Sequence, residues 1–340
     1  MEKLKEIATV FRKEEIDYLE LTKAVQAFDA LAMKTAGMQL EQQENRKNMY
    51  SKTGMALGTT WAAMCIKDII RTKKFIKGIF EAIEFVKKHK KGPVTILYAG
   101  TGPFATLLLP VLATFTPQEV QCVLLEINTK SFVLMQQVIE ELKFEKHVKA
   151  FENADATTYK INPDHEIDIL LSETMQRALE SEQQVPIVMN LMQQLRPEVI
   201  MIPECISLEL GLMDIGQFLS QRASTQEESY HKLGVFYKLT KEDIASWFAE
   251  NKELKEVIHF TESVFTITNG SVSKFRELIV RTGITVFGDT KIEINESGLT
   301  TPLILEALPQ KNNDFKVKIH YKVDKVPGIE YQVIEKGLML

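Results

Sequence analysis

The sequence contains little cysteine and tryptophan: its 340 residues include three cysteines and two tryptophans. Cys65, Cys122 and Cys205 are odd in number and far apart, which excludes a disulfide framework and a cysteine-based zinc site. We therefore predict a reducing, cytoplasmic compartment and no bound metal. The chain also lacks an apolar run of about 18 residues and, in its first residues, the apolar core of a secretory signal, so neither a membrane span nor secretion is predicted.

Positive charge is not in excess either, because 41 Lys and Arg residues stand against 46 Asp and Glu, a net charge of −5. A general nucleic-acid-binding protein usually carries a basic face, so the charge argues against that class. With 45% hydrophobic and 26% charged residues, the composition is that of an ordinary soluble globular protein. The charge is unevenly spread: residues 101–200 hold 14 acidic and 7 basic residues. Most of this acidic excess is typical of solvated helix faces.

The hydrophobic pattern changes from helices to alternating strands and helices after the first 90 residues. Helices are predicted over residues 1–50 and 59–90, the second ended by Gly92 and Pro93. Five short strands with helices between them follow, at Val94–Tyr98, Gln121–Leu125, Val148–Phe151, Ile167–Leu171 and Val199–Met201. Such alternation predicts a parallel sheet with helices on both faces.

Beyond Pro203 most of the chain alternates with a period of two residues, and turn signals such as Asn269-Gly270 and Pro327-Gly328 separate the runs. This pattern predicts an antiparallel sandwich or barrel. The predicted fold class is therefore α/β, with three parts: N-terminal helices over 1–92, a doubly wound Rossmann-like core over 93–204 and a β-rich domain over 205–340.

The strand ends of the core carry a candidate ligand site. Gly100 and Gly102 lie at a strand-to-helix turn, where glycine lets a ligand approach the backbone closely. Glu126 ends the second strand, where a carboxylate can accept both hydroxyls of a ribose, and Asp155 follows the third, where it can accept an adenine amino group. Pro103 removes a backbone donor that a pyrophosphate needs, so an adenosine without phosphates fits better than a dinucleotide.

These features resemble the class I S-adenosylmethionine-dependent methyltransferases, and more particularly the protein arginine methyltransferase family. Ile66–Thr72 resembles the family segment whose arginine pairs with the methionine carboxylate, and this implies that role for Arg71. Tyr50 resembles the family's tyrosine that folds over the cofactor. The resemblance implies S-adenosylmethionine as cofactor, held by Tyr50, Arg71, Ala99, Gly100, Thr101, Gly102, Glu126, Asp155 and Ala156.

The segment Ser172–Glu182 follows the fourth strand and resembles the family loop that carries two glutamates nine positions apart. Glu173 and Glu182 have that spacing, whereas Thr174 and Gln176 replace the family's tryptophan and glycine. Two carboxylates can fix the plane of a guanidinium, and one of them can accept a proton during methyl transfer. Glu180 is an alternative to Glu182 as the second carboxylate.

The family's Thr-His-Trp loop is absent from the β region, so a small molecule is as good a candidate acceptor as protein arginine. The predicted function is N-methylation of a guanidino or other cationic nitrogen group. Methylation of another metabolite at O, S or N, transfer of another alkyl group from a related sulfonium, and a cofactor-binding partner without catalysis remain alternatives. A homodimer is also open, with Ile215–Arg222 or Lys241–Phe248 as its helical arm.

Overall fold

The computed structural model describes residues 1–38, 43–216, 230–309 and 314–335. The predicted first helix is in fact two helices, α1 (Glu2–Arg12) and α2 (Tyr18–Ala36). The prediction of one helix over 1–50 was wrong because Asp17 caps α2: its carboxylate accepts hydrogen bonds from the N–H groups of Leu19 and Glu20. An antiparallel hairpin of β1 (Met49–Ser51) and β2 (Gly54–Ala56) then precedes the second helical segment.

The predicted helix over 59–90 is divided in the same way. It consists of α3 (Thr59–Met64), a short 3-10 turn and α4 (Ile69–His89). Asp68 caps α4, accepting a hydrogen bond from the Arg71 N–H at 3.2 Å. The break places Arg71 in the first turn of α4, facing the core sheet.

The core is a five-stranded parallel sheet, as predicted. Its strands are β3 (Val94–Ala99), β4 (Val120–Leu125), β5 (Val148–Glu152), β6 (Ile169–Ser172) and β7 (Ile200–Ile202), in the order β5-β4-β3-β6-β7. The helices between them are α5 (Leu109–Thr114), α6 (Thr129–Glu141) and α7 (Gln184–Met192). The strand order reverses at β3, and the carboxyl ends at such a switch point form the crevice where open α/β sheets bind ligands.

The C-terminal part is antiparallel, which confirms the predicted β domain. In chain order its elements are β8 (Cys205–Met213), β9 (Tyr230–Leu239), α8 (Lys241–Glu250), β10 (Ile258–His259), β11 (Ser263–Ile267), α9 (Asn269–Lys274), β12 (Glu277–Phe287), β13 (Thr290–Ile292), β14 (Leu303–Ala307), β15 (Phe315–Val323) and β16 (Gly328–Glu335). One sheet has the order β13-β12-β8-β9 with β14 also paired to β12, and in the other β15 pairs with β10, β11 and β16. Asn269-Gly270, predicted as a turn between strands, instead begins the short helix α9.

The two segments considered as a dimerisation arm have different outcomes. Most of Ile215–Arg222 lies outside the described residues. Lys241–Phe248 is helical, but α8 packs against α7 and β9, with Ile244 buried, and so lies on the molecule instead of projecting from it. None of the helices in the described ranges is long and apolar enough to cross a membrane.

Candidate functional site

A cleft lies at the carboxyl edge of the parallel sheet. Its walls come from β2, α3, the start of α4, the ends of β3 to β6 and the loop after β6. Nine of the eleven predicted site residues line it: Arg71, Gly100, Thr101, Gly102, Glu126, Asp155, Ala156, Glu173 and Glu182. The fold thus brings together residues that are more than 100 positions apart in the chain.

Tyr50 and Ala99 are the two predicted residues that do not line the cleft. Tyr50 is 78% exposed on β1, so the structure does not place it over a ligand in the cleft. Ala99 is buried inside β3, where successive side chains point to opposite faces, and its neighbour Tyr98 lines the cleft in its place.

The floor of the cleft is the turn after β3, which needs its two glycines. Gly100 has a φ of 80° and Gly102 a φ of 60°, both in the left-handed region. A Cβ atom on Gly100 would also collide with the methyl group of Thr174. The turn therefore brings the backbone to the cleft surface without a side chain between.

Glu126 is fixed beside this turn by hydrogen bonds from the backbone. One carboxylate oxygen accepts a hydrogen bond from the Gly102 N–H and the other from the Asn128 N–H, both at 2.8 Å. Burial raises the pKa of Glu126, and the N–H donors oppose that shift because they stabilise the ionised form.

Asp155 follows β5 at the far end of the cleft. Its Oδ1 accepts hydrogen bonds from the Thr157 N–H at 2.8 Å and the Thr157 hydroxyl at 2.7 Å, which hold the carboxylate in one orientation. Asn190 donates to the carbonyl oxygen of Ala156 at 2.9 Å and fixes the adjoining turn. These contacts give this end of the cleft a rigid acceptor.

Arg71 and Glu173 form a buried ion pair at the opposite end, with only 13% and 6% of their side chains exposed. Burial raises the pKa of Glu173 to about 7, although the Arg71 charge opposes the shift. Burial lowers the pKa of Arg71, but Glu173, Cys65 and Glu182 together outweigh this effect and the pKa lies above its ordinary value. Within the described ranges, Oε1 of Glu173 is buried without a hydrogen-bond partner.

Glu182 completes a group of two carboxylates and one guanidinium. It is 6% exposed, and burial together with the charge of Glu173 raises its pKa to about 7. Gln176 donates a hydrogen bond to it. Glu180, the alternative second carboxylate, is only half-buried and does not line the cleft. The structure thus places Glu182, and not Glu180, beside Glu173.

The loop that carries the glutamates has a strained backbone. Ala178, Leu179 and Ser181 have φ values of 55°, 55° and 64°, in a region that residues other than glycine seldom adopt. Such conformations persist when the surrounding structure holds them, and they concentrate at functional sites.

The β domain supplies the contacts that hold this loop. Thr282 accepts a hydrogen bond from the Ala178 N–H at 2.8 Å, and the Tyr321 hydroxyl donates to the Leu179 carbonyl oxygen at 2.8 Å. The Pro327 carbonyl oxygen accepts a hydrogen bond from the Ser181 N–H, also at 2.8 Å. Every strained residue of the loop therefore has a partner in the β domain.

The N-terminal hairpin supports the loop from the other side. The Met55 N–H donates to the Ser181 carbonyl oxygen at 2.9 Å, and Gln183 donates to the Ser51 hydroxyl at 2.8 Å. Met55 and Gln183 also line the cleft, as does Cys65 beside the Arg71 guanidinium. Sequence reasoning missed these residues, because β1 and β2 are three residues each and carry no recognisable period.

The comparisons with known proteins agree with this geometry at the level of the fold. No protein-family model and no curated protein sequence matches the chain. Among solved structures, the chain is similar to PRMT6 in a crystal structure with SAH, with a TM-score of 0.53 and 10% identity over 80% of this chain and 98% of that one. It is also similar to the Trypanosoma brucei PRMT1 enzyme-prozyme heterotetrameric complex with AdoHcy, with a TM-score of 0.49 and 12% identity over 80% and 96%. The chain has the fold of the arginine methyltransferase type, as the sequence resemblance implied.

Proposed function

We propose that this protein is an S-adenosylmethionine-dependent N-methyltransferase that acts on a guanidino or other cationic nitrogen group. The observation that carries the proposal is the buried group of Arg71, Glu173 and Glu182, in which one cation faces two carboxylates. A buried negative charge without a counterion is costly, so this end of the cleft favours a cationic ligand. A planar guanidinium, with donors along two edges, satisfies two carboxylates at once.

The residues at the floor of the cleft fit an adenosine-containing cofactor, and we refer to Gly100, Gly102, Glu126 and Asp155 as the cofactor half. The Glu126 carboxylate suits ribose hydroxyls, and Asp155 suits an adenine amino group. The turn at Gly100 and Gly102 lets the ligand lie against the backbone. When bound, S-adenosylmethionine supplies an electrophilic methyl group on a sulfonium.

Arg71 joins this half to the other one, which we call the acceptor half and define as Glu173 and Glu182. A guanidinium has five N–H donors, so Arg71 can keep Glu173 and still bind a carboxylate of the cofactor. It would therefore orient Glu173 and the methionine end of the cofactor together. Orientation of this kind supplies much of the rate enhancement in group transfer.

The acceptor half would position the nitrogen and take its proton. Glu173 and Glu182 have pKa values of about 7, near the pH at which a general base works best. A bound cation would favour their ionised forms and so ready them for this step. The unpartnered Oε1 of Glu173 is the acceptor that the substrate would engage.

Calorimetry with S-adenosylmethionine, followed by an assay of S-adenosylhomocysteine release, tests this proposal. The acceptor panel would contain free arginine, agmatine, an arginine-containing peptide and a set of neutral amines and hydroxyl compounds. We expect release only with cationic nitrogen acceptors. Glu173→Gln should lower turnover by about 10²–10⁴-fold while leaving the affinity for the cofactor within about tenfold.

Glu180→Gln is the matched control, because it makes the same change in the same loop outside the cleft lining. If both variants lose activity equally, or if Glu173→Gln keeps nearly full turnover, the guanidinium clamp is wrong. Cofactor binding without product release across the panel would instead favour a partner protein without catalysis. Sedimentation of the same sample would test whether the protein is a homodimer.

A further inference from the structure

Two histidines and a glutamate meet on the β domain, outside the cleft. His259 lies on β10, His320 on β15 and Glu330 on β16, which are neighbouring strands of one sheet. His320 and Glu330 are directly opposite each other in the pairing of β15 with β16. His259 is opposite Lys322, two residues further along β15. Residues two apart on a strand share a face, so the three side chains project to the same side.

The potential ligand atoms are close enough to bind one ion. Nδ1 of His259 lies 3.1 Å from Nε2 of His320, which is 3.7 Å from Oε2 of Glu330. All three atoms lie within 4.8 Å of one another. In a tetrahedral zinc site, with bonds of about 2.0–2.2 Å, ligand atoms are separated by about 3.3–3.6 Å. Small rotations of exposed side chains would therefore complete the geometry.

The charges around the cluster leave the carboxylate available. Lys322 is the nearest cation, with its Nζ 3.8 Å from Oε2 of Glu330 but 2.9 Å from the carboxylate of Asp324. The closer partner of Lys322 is thus Asp324, which still compensates the lysine charge when Glu330 binds a metal ion. The side chain of Glu330 is 54% exposed and that of His320 17%, so an ion can reach the site from solvent.

We propose that His259, His320 and Glu330 form a binding site for a divalent transition-metal ion, with zinc as the best-suited ion. Two imidazoles and a carboxylate are a ligand set that zinc accepts, with the fourth position left to water. In the part of the chain that the structure describes, this is the one group of three such residues with ligand atoms this close. The ion would link β10, β15 and β16.

The test is zinc titration of the full-length protein after chelator treatment and dialysis, by competition with a chromophoric indicator. We expect one zinc per chain. His320→Ala should weaken that binding by at least about 100-fold, because loss of even an outer contact costs 10–100-fold. His89→Ala is the control, since it removes an exposed histidine far from the cluster, on α4. Glu330→Gln is a milder second variant for the case in which His320→Ala is misfolded.

Cobalt(II) provides a separate measurement of the geometry. We expect the wild type to give visible absorption bands of a four- or five-coordinate cobalt ion, and the His320→Ala and Glu330→Gln variants to lose or shift them. The proposal is overturned if the wild type binds no zinc beyond the indicator's background. Equal zinc affinity in the wild type, in folded Glu330→Gln and in a His259→Ala, His320→Ala double variant would also overturn it.

Discussion

The cofactor half and the acceptor half of the cleft contain similar chemical groups that are held in different ways. Glu126 in the cofactor half accepts hydrogen bonds from the backbone N–H of Asn128, two residues further along the chain, and from that of Gly102, at the end of the adjacent strand. Glu182 in the acceptor half faces the like charge of Glu173. The comparison shows that backbone N–H groups oppose the burial penalty of the first carboxylate, whereas a like charge adds to the burial penalty of the second.

The two halves are also held by different parts of the chain. The cofactor half is built within residues 100–155, from the ends of three adjacent strands. The acceptor half is held by the hairpin at 49–56 and by Thr282, Tyr321 and Pro327 of the β domain. A substitution in one half should therefore have little effect on the properties of the other half.

The largest contrast is expected between Glu182→Gln and Glu126→Gln in protein without ligands. Because the folded-state pKa of Glu182 is about 7 and its ordinary value is 4.5, its contribution to stability is complete below pH 4.5 and is lost as the pH rises through 7. Glu182→Gln should then raise the free energy of unfolding at pH 8 by up to ~3 kcal/mol. Glu126→Gln should give no comparable gain, because the amide loses a backbone N–H bond, worth about 1–3 kcal/mol, that offsets the relief of the burial penalty.

Urea denaturation at pH 5 and pH 8 measures both effects. Glu198→Gln, at an exposed position, controls for the change in net charge. The gain from Glu182→Gln should be much smaller at pH 5 than at pH 8, and a bound cationic ligand should reduce it at pH 8. A loss of stability in Glu182→Gln at pH 8 would contradict the contrast between the halves.

A glycine pair gives the next largest effect. Gly100→Ala should weaken S-adenosylmethionine binding by on the order of 100-fold, since the new Cβ collides with Thr174 at the cleft floor. Gly92→Ala is matched in backbone strain, because its φ is 92°, but its Cβ would meet nothing within 4 Å. Calorimetry should show near wild-type affinity in that control. Equal affinities in the two variants would mean that the turn does not face the cofactor.

The smallest effect should come from a single hydroxyl group of the β domain. Tyr321→Phe leaves the Leu179 carbonyl oxygen without its donor, and should lower the free energy of unfolding by about 1 kcal/mol and slow methyl transfer. Cofactor affinity should not change, because the contact supports the acceptor half alone. Tyr331→Phe is the control: its hydroxyl bond to Leu305 is longer, at 3.4 Å. A Tyr321→Phe variant with weakened cofactor binding and normal turnover would contradict the separation of the halves.

Sequence patterns predicted the parallel sheet and most of the cleft because those features depend on short-range order. Each strand of the core is a short apolar run, and a candidate site residue follows four of the five, so finding these strands locates Gly100, Glu126, Asp155 and Glu173. The same patterns failed where one capping side chain decides the backbone. Asp17 and Asp68 lie within otherwise helical spacing, and periodicity does not show that each begins a new helix.

Contacts between distant parts of the chain were beyond sequence reasoning. Nothing in the pattern around Tyr321 indicates that its hydroxyl meets a loop 142 positions earlier. The exposure of Tyr50 also depends on how the hairpin is placed against the loop after β6, which no local pattern gives. The histidine and glutamate cluster was missed for the same reason, because its members lie on three separate strands.

The anchors of the strained loop have a consequence for the order in which the protein folds. The Met55 contact lies upstream of the parallel sheet, and the contacts from Thr282, Tyr321 and Pro327 come from the last sixth or so of the chain. Contacts between residues so far apart form only after the entropy of closing long loops has been overcome. We therefore expect Ala178, Leu179 and Ser181 to become ordered late in folding. Their amide protons should exchange with solvent sooner than those of the central strand β3, by local opening that leaves the sheet intact.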